Sequence, residues 1–500
     1  MKDIRFAAIA SGFLIGSATQ AMAGAVPAPP PKIVKISTLP TIGLTGFQEA
    51  LFPGAQYAPI PVPPNDSEPD RLVDLGGIGS DLFRAPGTST NEFYQITDRG
   101  PNGEADVMGT TRRTFPVPWF TPTILQVRAS GPEMRILDAI PIVGGPNCDM
   151  PVGGLPNLNV NSPADGAPYD DPPYAYDAVR PLHYMQSGLD TEGLVRTANG
   201  EFWFAEEYSP SIGRLDANGC VIERIVPNGL PLTAAGYPVV GDDPATESGR
   251  AIPAIYQLRK RNRGFEALAL TPSGRYLYVG LQSPLLNPTT SAGNAAYNTR
   301  ILRYDLQRQS FDAEYVYRFQ PETDFELGTR PRDLKLSAIV ALDDDTLLVL
   351  ERTDIVAKIF LVELAGATDI LGSWDCVGNQ AKVFLGSVAV PVCSSLSTGT
   401  KSIEQMLTLG DLTSNDITPA TKTRLVAEID ARSGLPEKIE GVAVLNPSHI
   451  AIANDNDFNV KGGGANVAFD PVSGNMILRD PPVPSQIIRI KLDQPLPIGW

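Results

Sequence analysis

Histidine is scarce: the 500-residue chain has only His183 and His449. Zinc sites built on several imidazoles and phosphohistidine chemistry both need more than this. No G-x-S-x-G elbow accompanies His183, which disfavours a Ser-His-Asp hydrolase. His449 falls in the turn of a strand pair and reads as structural. Cysteine is sparse too, with Cys148, Cys220, Cys376 and Cys393 in no C-x-x-C or Cys/His spacing, so zinc and redox roles fall away. Beyond the N-terminus there is no long apolar run, hence no segment suited to span a bilayer. Basic residues are outnumbered 56 to 40, giving a net charge of −16. A chain of that sign repels nucleic acid and anionic membrane surfaces, and neither is expected as a partner.

The N-terminus has the order of an export signal. Lys2 and Arg5 precede an apolar run from Phe6 to Ala18, and Ala21-Met22-Ala23 is a small-x-small cleavage site. Cleavage is expected after Ala23, leaving residues 24–500 as one domain in the periplasm or outside the cell. The alternative is a buried N-terminal helix, which the charge–apolar–small order fits less well. No cysteine follows the site to carry a lipid anchor. Four cysteines in an exported chain suggest two disulfides. Three connectivities are possible; the short loop favours Cys376–Cys393, leaving Cys148–Cys220.

What is abundant is turn residues, with 46 Gly and 47 Pro between short alternating apolar runs. That pattern reads as many short strands. One unit recurs: EGLVRTANGEFWFAEE at 192–207, EALALTPSGRYLYVGLQ at 266–282, EGVAVLNPSHIAIAND at 440–455, and more weakly SAIVALDDDTLLVLE at 337–351. An earlier relative spans 74–98. Each is a strand, a polar turn and a second strand, and further strands follow each hairpin. Four strands per unit around a ring is the β-propeller pattern. The expectation is an all-β single propeller of six blades, with five to seven compatible with the repeat. The sixth blade would use KIVKIST and QIIRIKLD. Residues 147–186 and 374–434 break the repeat and read as insertions, the second partly helical over 401–432.

The two strands of each hairpin run antiparallel, so the acidic residues at both ends of a unit share one rim. The candidate metal ligands are Asp98, Glu192, Glu206, Glu207, Glu266, Glu351, Glu440, Asn454 and Asp455. Clustered carboxylates repel unless paired, and oxygen donors without Cys or His suit Ca²⁺. The plainer alternative is strand-end charge, solvated or paired with arginine. Arg99, Arg263, Arg352 and Lys438 accompany the acids, and an arginine fork suits a phosphorylated anion. Asp343–Asp345 fill a hairpin turn and read as solvated surface.

The segments ITDRGPNGEAD, FWFAEEYSPSIGRLD, RGFEALALTPSGRYLYVGLQSPL, TRILRYDL, LLVLERTD and IANDNDF resemble the phytase-like family described as having the esterase-like activity of phytase. The resemblance runs from about Asp74 to Phe458. It implies an exported β-propeller related to calcium-dependent propeller phytases that hydrolyse phosphomonoesters. It supplies no catalytic residue list. The residues themselves suggest Ca²⁺ at the channel mouth, Arg99 and Arg263 holding a small anionic substrate, and a carboxylate, with Glu207 a candidate, orienting water. A monomer is expected. Two rivals are a sugar-lactone hydrolase, with calcium on Glu440 and Asn454-Asp455, and a non-catalytic propeller with calcium as a structural pin.

Overall fold

The computed structural model describes residues 31–52, 71–157, 170–230, 232, 235–243, 249–374, 382–385, 388–391, 401–460 and 476–498. The signal segment 1–23 and the pair Cys376–Cys393 lie outside the described residues.

Each repeat folds as an antiparallel hairpin. Thr191–Arg196 pairs with Phe202–Glu206, and Phe265–Leu270 with Tyr276–Leu281. Lys335–Ala341 pairs with Thr346–Arg352, and Ile439–Asn446 with His449–Asn454. Glycine makes two of the reversals: Gly200 (φ +92°) and Gly274 (φ +69°) sit where a Cβ is strained.

Further strands extend each hairpin outward. The second sheet adds Ser211–Leu215, Val221–Ile225 and the short Val239–Val240; the third adds Asn298–Asp305 and Ser310–Arg318. The fourth adds Val356–Glu363 and Thr421–Asp430. In the first sheet the innermost strand is reduced to the bridge Phe83–Tyr94, followed by Glu92–Ile96, Thr123–Arg128 and Arg135–Pro141. The fifth sheet contains both ends of the described chain: Gln486–Lys491 lies beside His449–Asn454, and Lys32–Thr38 is outermost. Thus five sheets of this kind form among the described residues. The strands expected for a sixth complete the fifth instead, because each finds its ladder partner there.

Strand alternation explains how the sheets pack. On Phe202–Glu206, Phe202 and Phe204 enter a core shared with Tyr94, Ile96 and Ile124 of the first sheet. Trp203 and Ala205 point the other way, into a core with Leu268 and Leu277 of the third. Both faces are buried, so the strand reads as an unbroken apolar run. Equivalent cores join the third sheet to the fourth and the fourth to the fifth. A last one joins the fifth to the first through Ala443, Ala451, Leu125 and Val127. Every sheet therefore lies between two others, as in a β-propeller.

The second insertion is shorter than the sequence suggested. Thr421–Asp430 is a sheet strand, so the second insertion ends before residue 421. Helix there is confined to the turn Ile403–Gln405 and to Leu409–Thr413. The strand's alternation is hidden because it is outermost and carries charge on its open face. The insertion is fastened by Arg300, which pairs with Glu314 and Glu404 at 3.0 Å each, all three fully buried. The first insertion is stapled by the expected disulfide Cys148–Cys220, with Cα atoms 5.4 Å apart. Its strand Pro173–Ala175 pairs with the hairpin Gly103–Val107 and Thr110–Phe115.

Candidate functional site: an acidic and cationic cavity at the sheet centres

All four complete hairpins contain the same irregularity. The pairing register slips between Thr191 and Leu194, Phe265 and Ala267, Leu336 and Ala338, and Ile439 and Gly441. The extra residue is Glu192, Glu266, Ser337 or Glu440. A bulge turns one side chain out of the strand's alternation. Here it turns three glutamates into one cavity of 490 Å³. The residue after the acid must be small because the inner strands meet backbone to backbone. A Cβ on Gly193 would lie 2.4 Å from the Leu268 nitrogen, and one on Gly441 would lie 2.9 Å from the Asp81 carbonyl carbon.

Two more positions of each unit reach the cavity. Two residues before the bulge stand Asp190, Lys335 and Lys438; one residue past the partner of the residue before the bulge stand Glu207, Gln282, Arg352 and Asp455. The lining holds ten acidic and eight basic side chains and no aromatic ring. The site thus favours a compact charged ligand over one that stacks.

The acids concentrate at one end. Carboxylate oxygens of Asp190, Glu192 and Glu207 lie within 4.8 Å of one another, all three buried. Burial, then Glu266, Asp190 and Glu207, pushes the Glu192 carboxyl well above its usual range. Burial, Glu266 and Asp190 do the same to Glu207. Asp98 also lines the cavity; its carboxyl is pushed up by burial and by Asp455 and Asp190, and it accepts from the Gly100 nitrogen at 2.8 Å. Glu266 accepts from Gln282 at 2.6 Å and from Ser337 at 3.1 Å. Glu440 is bonded to Arg352, and Asp455 pairs with Lys438 at 2.9 Å. Burial raises the Asp455 carboxyl to about 7 against that pairing.

Three sequence candidates lie elsewhere. Glu206 is fully buried, pairs with Arg224 at 2.5 Å and accepts from the nitrogens of Asp190, Tyr208 and Ser209. Glu351 pairs with Lys422 at 2.7 Å and accepts from Tyr317. Asn454 accepts from the Gln486 nitrogen and donates to the Pro484 carbonyl. The reason is register: each stands opposite the residue before the bulge, Thr191, Leu336 or Ile439, rather than opposite the turned glutamate. Asp190 was missed, although its place two residues before Glu192, on the same strand face, was a usable signal. Asp457, paired with Lys438, also lines the cavity and carries no repeat signal.

The two arginine candidates differ. Arg99 pairs with Asp190 at 2.9 Å and donates to Asn262. Arg263 donates to Ser283 at 3.0 Å and to the Arg332 carbonyl at 2.8 Å, with no carboxylate partner among the described residues.

A family model described as "Phytase-like: Esterase-like activity of phytase" matches residues 73–458. The chain belongs to this family. A protein of Arthroderma benhamiae, described as an uncharacterized secreted protein, is 27% identical over 285 residues. The match covers 50% of this chain and 54% of the Arthroderma protein, so the chain spans about half the length of that relative. Among solved structures, a luciferin-regenerating enzyme aligns over 86% of this chain and 97% of its own at 8% identity and a TM-score of 0.29. A Lactobacillus plantarum protein aligns over 83% and 88% at 12% identity and a TM-score of 0.31. Likenesses this distant carry no argument about what the phytase-like chain does. Among the described residues no helix is long and apolar enough to cross a membrane.

Proposed function

We propose that this phytase-like protein is an exported, calcium-dependent hydrolase of phosphoric or other ester bonds, acting on a small anionic substrate. The observation that carries the reading is the buried Asp190–Glu192–Glu207 cluster facing a cationic wall in one cavity. The donor set fits a hard cation: it is all carboxylate, and Glu207 Oε1 is buried with no hydrogen-bond partner. Asp190, Glu192 and Glu207 would hold the ion, which would neutralise the substrate anion and polarise its ester oxygen.

The remaining roles fall to the chain's own groups. Arg263, hydrogen-bonded to Ser283 and the Arg332 carbonyl and not to a carboxylate, offers its fork to the anion. Arg99 is a positioning residue, because its guanidinium fixes the Asp190 carboxylate. Glu266, held between Gln282 and Ser337, receives or returns a proton at a carboxylate oxygen. Export is supported by the disulfide and by the description of the Arthroderma relative as secreted. The lactone reading loses its arrangement, since Asn454 faces Pro484 and Gln486 instead of the cavity.

The test is the purified protein with phosphomonoesters and short acyl esters, in calcium and in chelator. Turnover that chelator abolishes is expected. No turnover of either class from neutral to alkaline pH would leave a non-catalytic binding propeller as the better reading.

A further inference from the structure

The second insertion returns to the third sheet through residues 401–417. Ile403, Met406, Leu412 and Ile417 pack there on Val316 and Ile370. The Asn298 amide donates to the carbonyls of Ile403 and Met406 at 2.9 and 2.7 Å. At the same contact lie Arg300, Glu314 and Glu404, each with a fully buried side chain. Arg300 donates to Glu404 Oε1 through Nε and Nη2 at 3.1 and 3.0 Å, and to Glu314 Oε1 through Nη1 at 3.0 Å. The Tyr256 hydroxyl also donates to Glu314 Oε1, at 2.9 Å. The second oxygen of each glutamate, Oε2, is buried with no hydrogen-bond partner among the described residues.

One guanidinium balances one carboxylate, so ionising both acids leaves an excess negative charge in the interior, which is costly. A protonated carboxyl removes that charge and adds an O–H donor beside oxygens that lack one. Burial pushes the Glu314 carboxyl above its usual range against Arg300 and Tyr256, and Glu404 adds to the rise. Other ionisable groups on the packed elements are engaged elsewhere. Asp369 accepts from the Glu314 and Leu371 nitrogens, and Arg318 donates to Asn298 and to the Leu407 carbonyl. Lys401 pairs with Asp411 at 2.8 Å on the exposed side of the segment. The helix Thr290–Ala295, packed on the turn Ile403–Gln405, contains no ionisable side chain.

We propose that this junction is a proton-dependent latch: when residues 401–417 dock, one of Glu314 and Glu404 takes up a proton, and the segment loosens as pH rises. A carboxyl that is harder to ionise when docked binds more protons in the docked state. Docking is therefore tightest in acid and weakens as pH climbs above the ordinary glutamate range. The latch reaches toward the cavity, because Tyr256 belongs to the turn Ala254–Leu258, which runs on into Asn262 and Arg263 of the cavity wall. Neither acid lines the cavity itself, so the latch is independent of the hydrolase reading.

Native-state hydrogen exchange of the full chain tests it at pH 5, 7 and 9, with rates corrected for the intrinsic pH dependence of amide exchange. The reporters are the amides of Met406, Leu412 and Ile417, which bond to the carbonyls of Ile403, Thr408 and Leu412. Amides of the central strand Phe202–Glu206 report global opening. In the wild type, protection of the reporters should fall about tenfold or more from pH 5 to pH 9 relative to that strand. A single proton limits the fall to about tenfold per pH unit. Glu404→Gln keeps an acceptor for Arg300 and leaves one carboxylate to one guanidinium, so its protection at pH 9 should match that at pH 5. Glu314→Gln should flatten the profile in the same way, and it decides the matter if the first variant does not fold. A flat wild-type profile overturns the latch, as does a glutamine variant that keeps the wild-type pH dependence. A glutamine variant that folds but loses reporter protection at every pH also overturns it, because ion pairing and not a proton would then hold the segment.

Discussion

Two adjacent glutamates show how much one residue of register matters. Glu206 closes a buried ion pair with Arg224, while Glu207 faces the cavity with an unpartnered oxygen. Glu206→Gln leaves Arg224 buried without its counter-charge and should cost about 3–5 kcal/mol in urea unfolding. Glu207→Gln instead relieves repulsion: the metal-free protein should be as stable as wild type or more so, while the rise in melting temperature with millimolar calcium shrinks. Equal effects at the two positions would refute the division. Asp81 gives a pH signature. Its carboxylate accepts from the Leu82 and Leu194 nitrogens at 2.7 Å, yet burial raises it to about 7. A carboxyl raised in the folded state favours folding when protonated, so its contribution is full below pH 4 and declines as pH rises to about 7. Asp81→Asn should flatten that part of the stability profile by at most about 1.4 kcal/mol per pH unit. Unfolding titrations of both proteins between pH 4.5 and 8 measure the difference.

At the scale of the element, the bulge is what makes a strand into a site. The repeated acid followed by Gly or Ala was legible in the sequence, and so were the hairpins, because polar turns recur at a fixed distance. The bulge itself was not, since nothing local distinguishes a regular strand from one with an extra residue. That is why Glu192, Glu266 and Glu440 line the cavity, whereas Glu206, Glu351 and Asn454, expected beside them, do not. The strand Thr421–Asp430 was missed for a related reason: its charged open face hid the alternation. The close approach of inner strands is testable. Gly193→Ala puts a Cβ against the Leu268 backbone and should destabilise by about 1–3 kcal/mol. Gly46→Ala, in the exposed middle of the helix Leu44–Leu51 with nothing within 4 Å, should stabilise by about 0.5–1 kcal/mol. Chemical denaturation of both variants checks the pair.

At the scale of the whole molecule, the restraints come from different parts of the chain. The Cys148–Cys220 bridge closes a separation of 72 residues and fastens the first insertion to the second sheet. Chain entropy sets its worth at about 4 kcal/mol, an upper figure for most measured cases. Cys148→Ser with Cys220→Ser should lower the melting temperature and expose residues near 143–157 to protease, with any turnover retained at moderate temperature. Loss of turnover with the fold intact would contradict this structural role. The pairing of Lys32–Thr38 with Gln486–Lys491 has a different consequence. Leu327 is fully exposed in the connection between the third and fourth sheets. A protease that nicks the backbone there yields two fragments, and each still owns strands of the fifth sheet. The fragments remain clasped at two places, through the shared sheet and through the core between the third and fourth sheets. A nicked molecule should therefore migrate as one particle until denaturant parts the halves, and two separately produced halves should find each other and assemble.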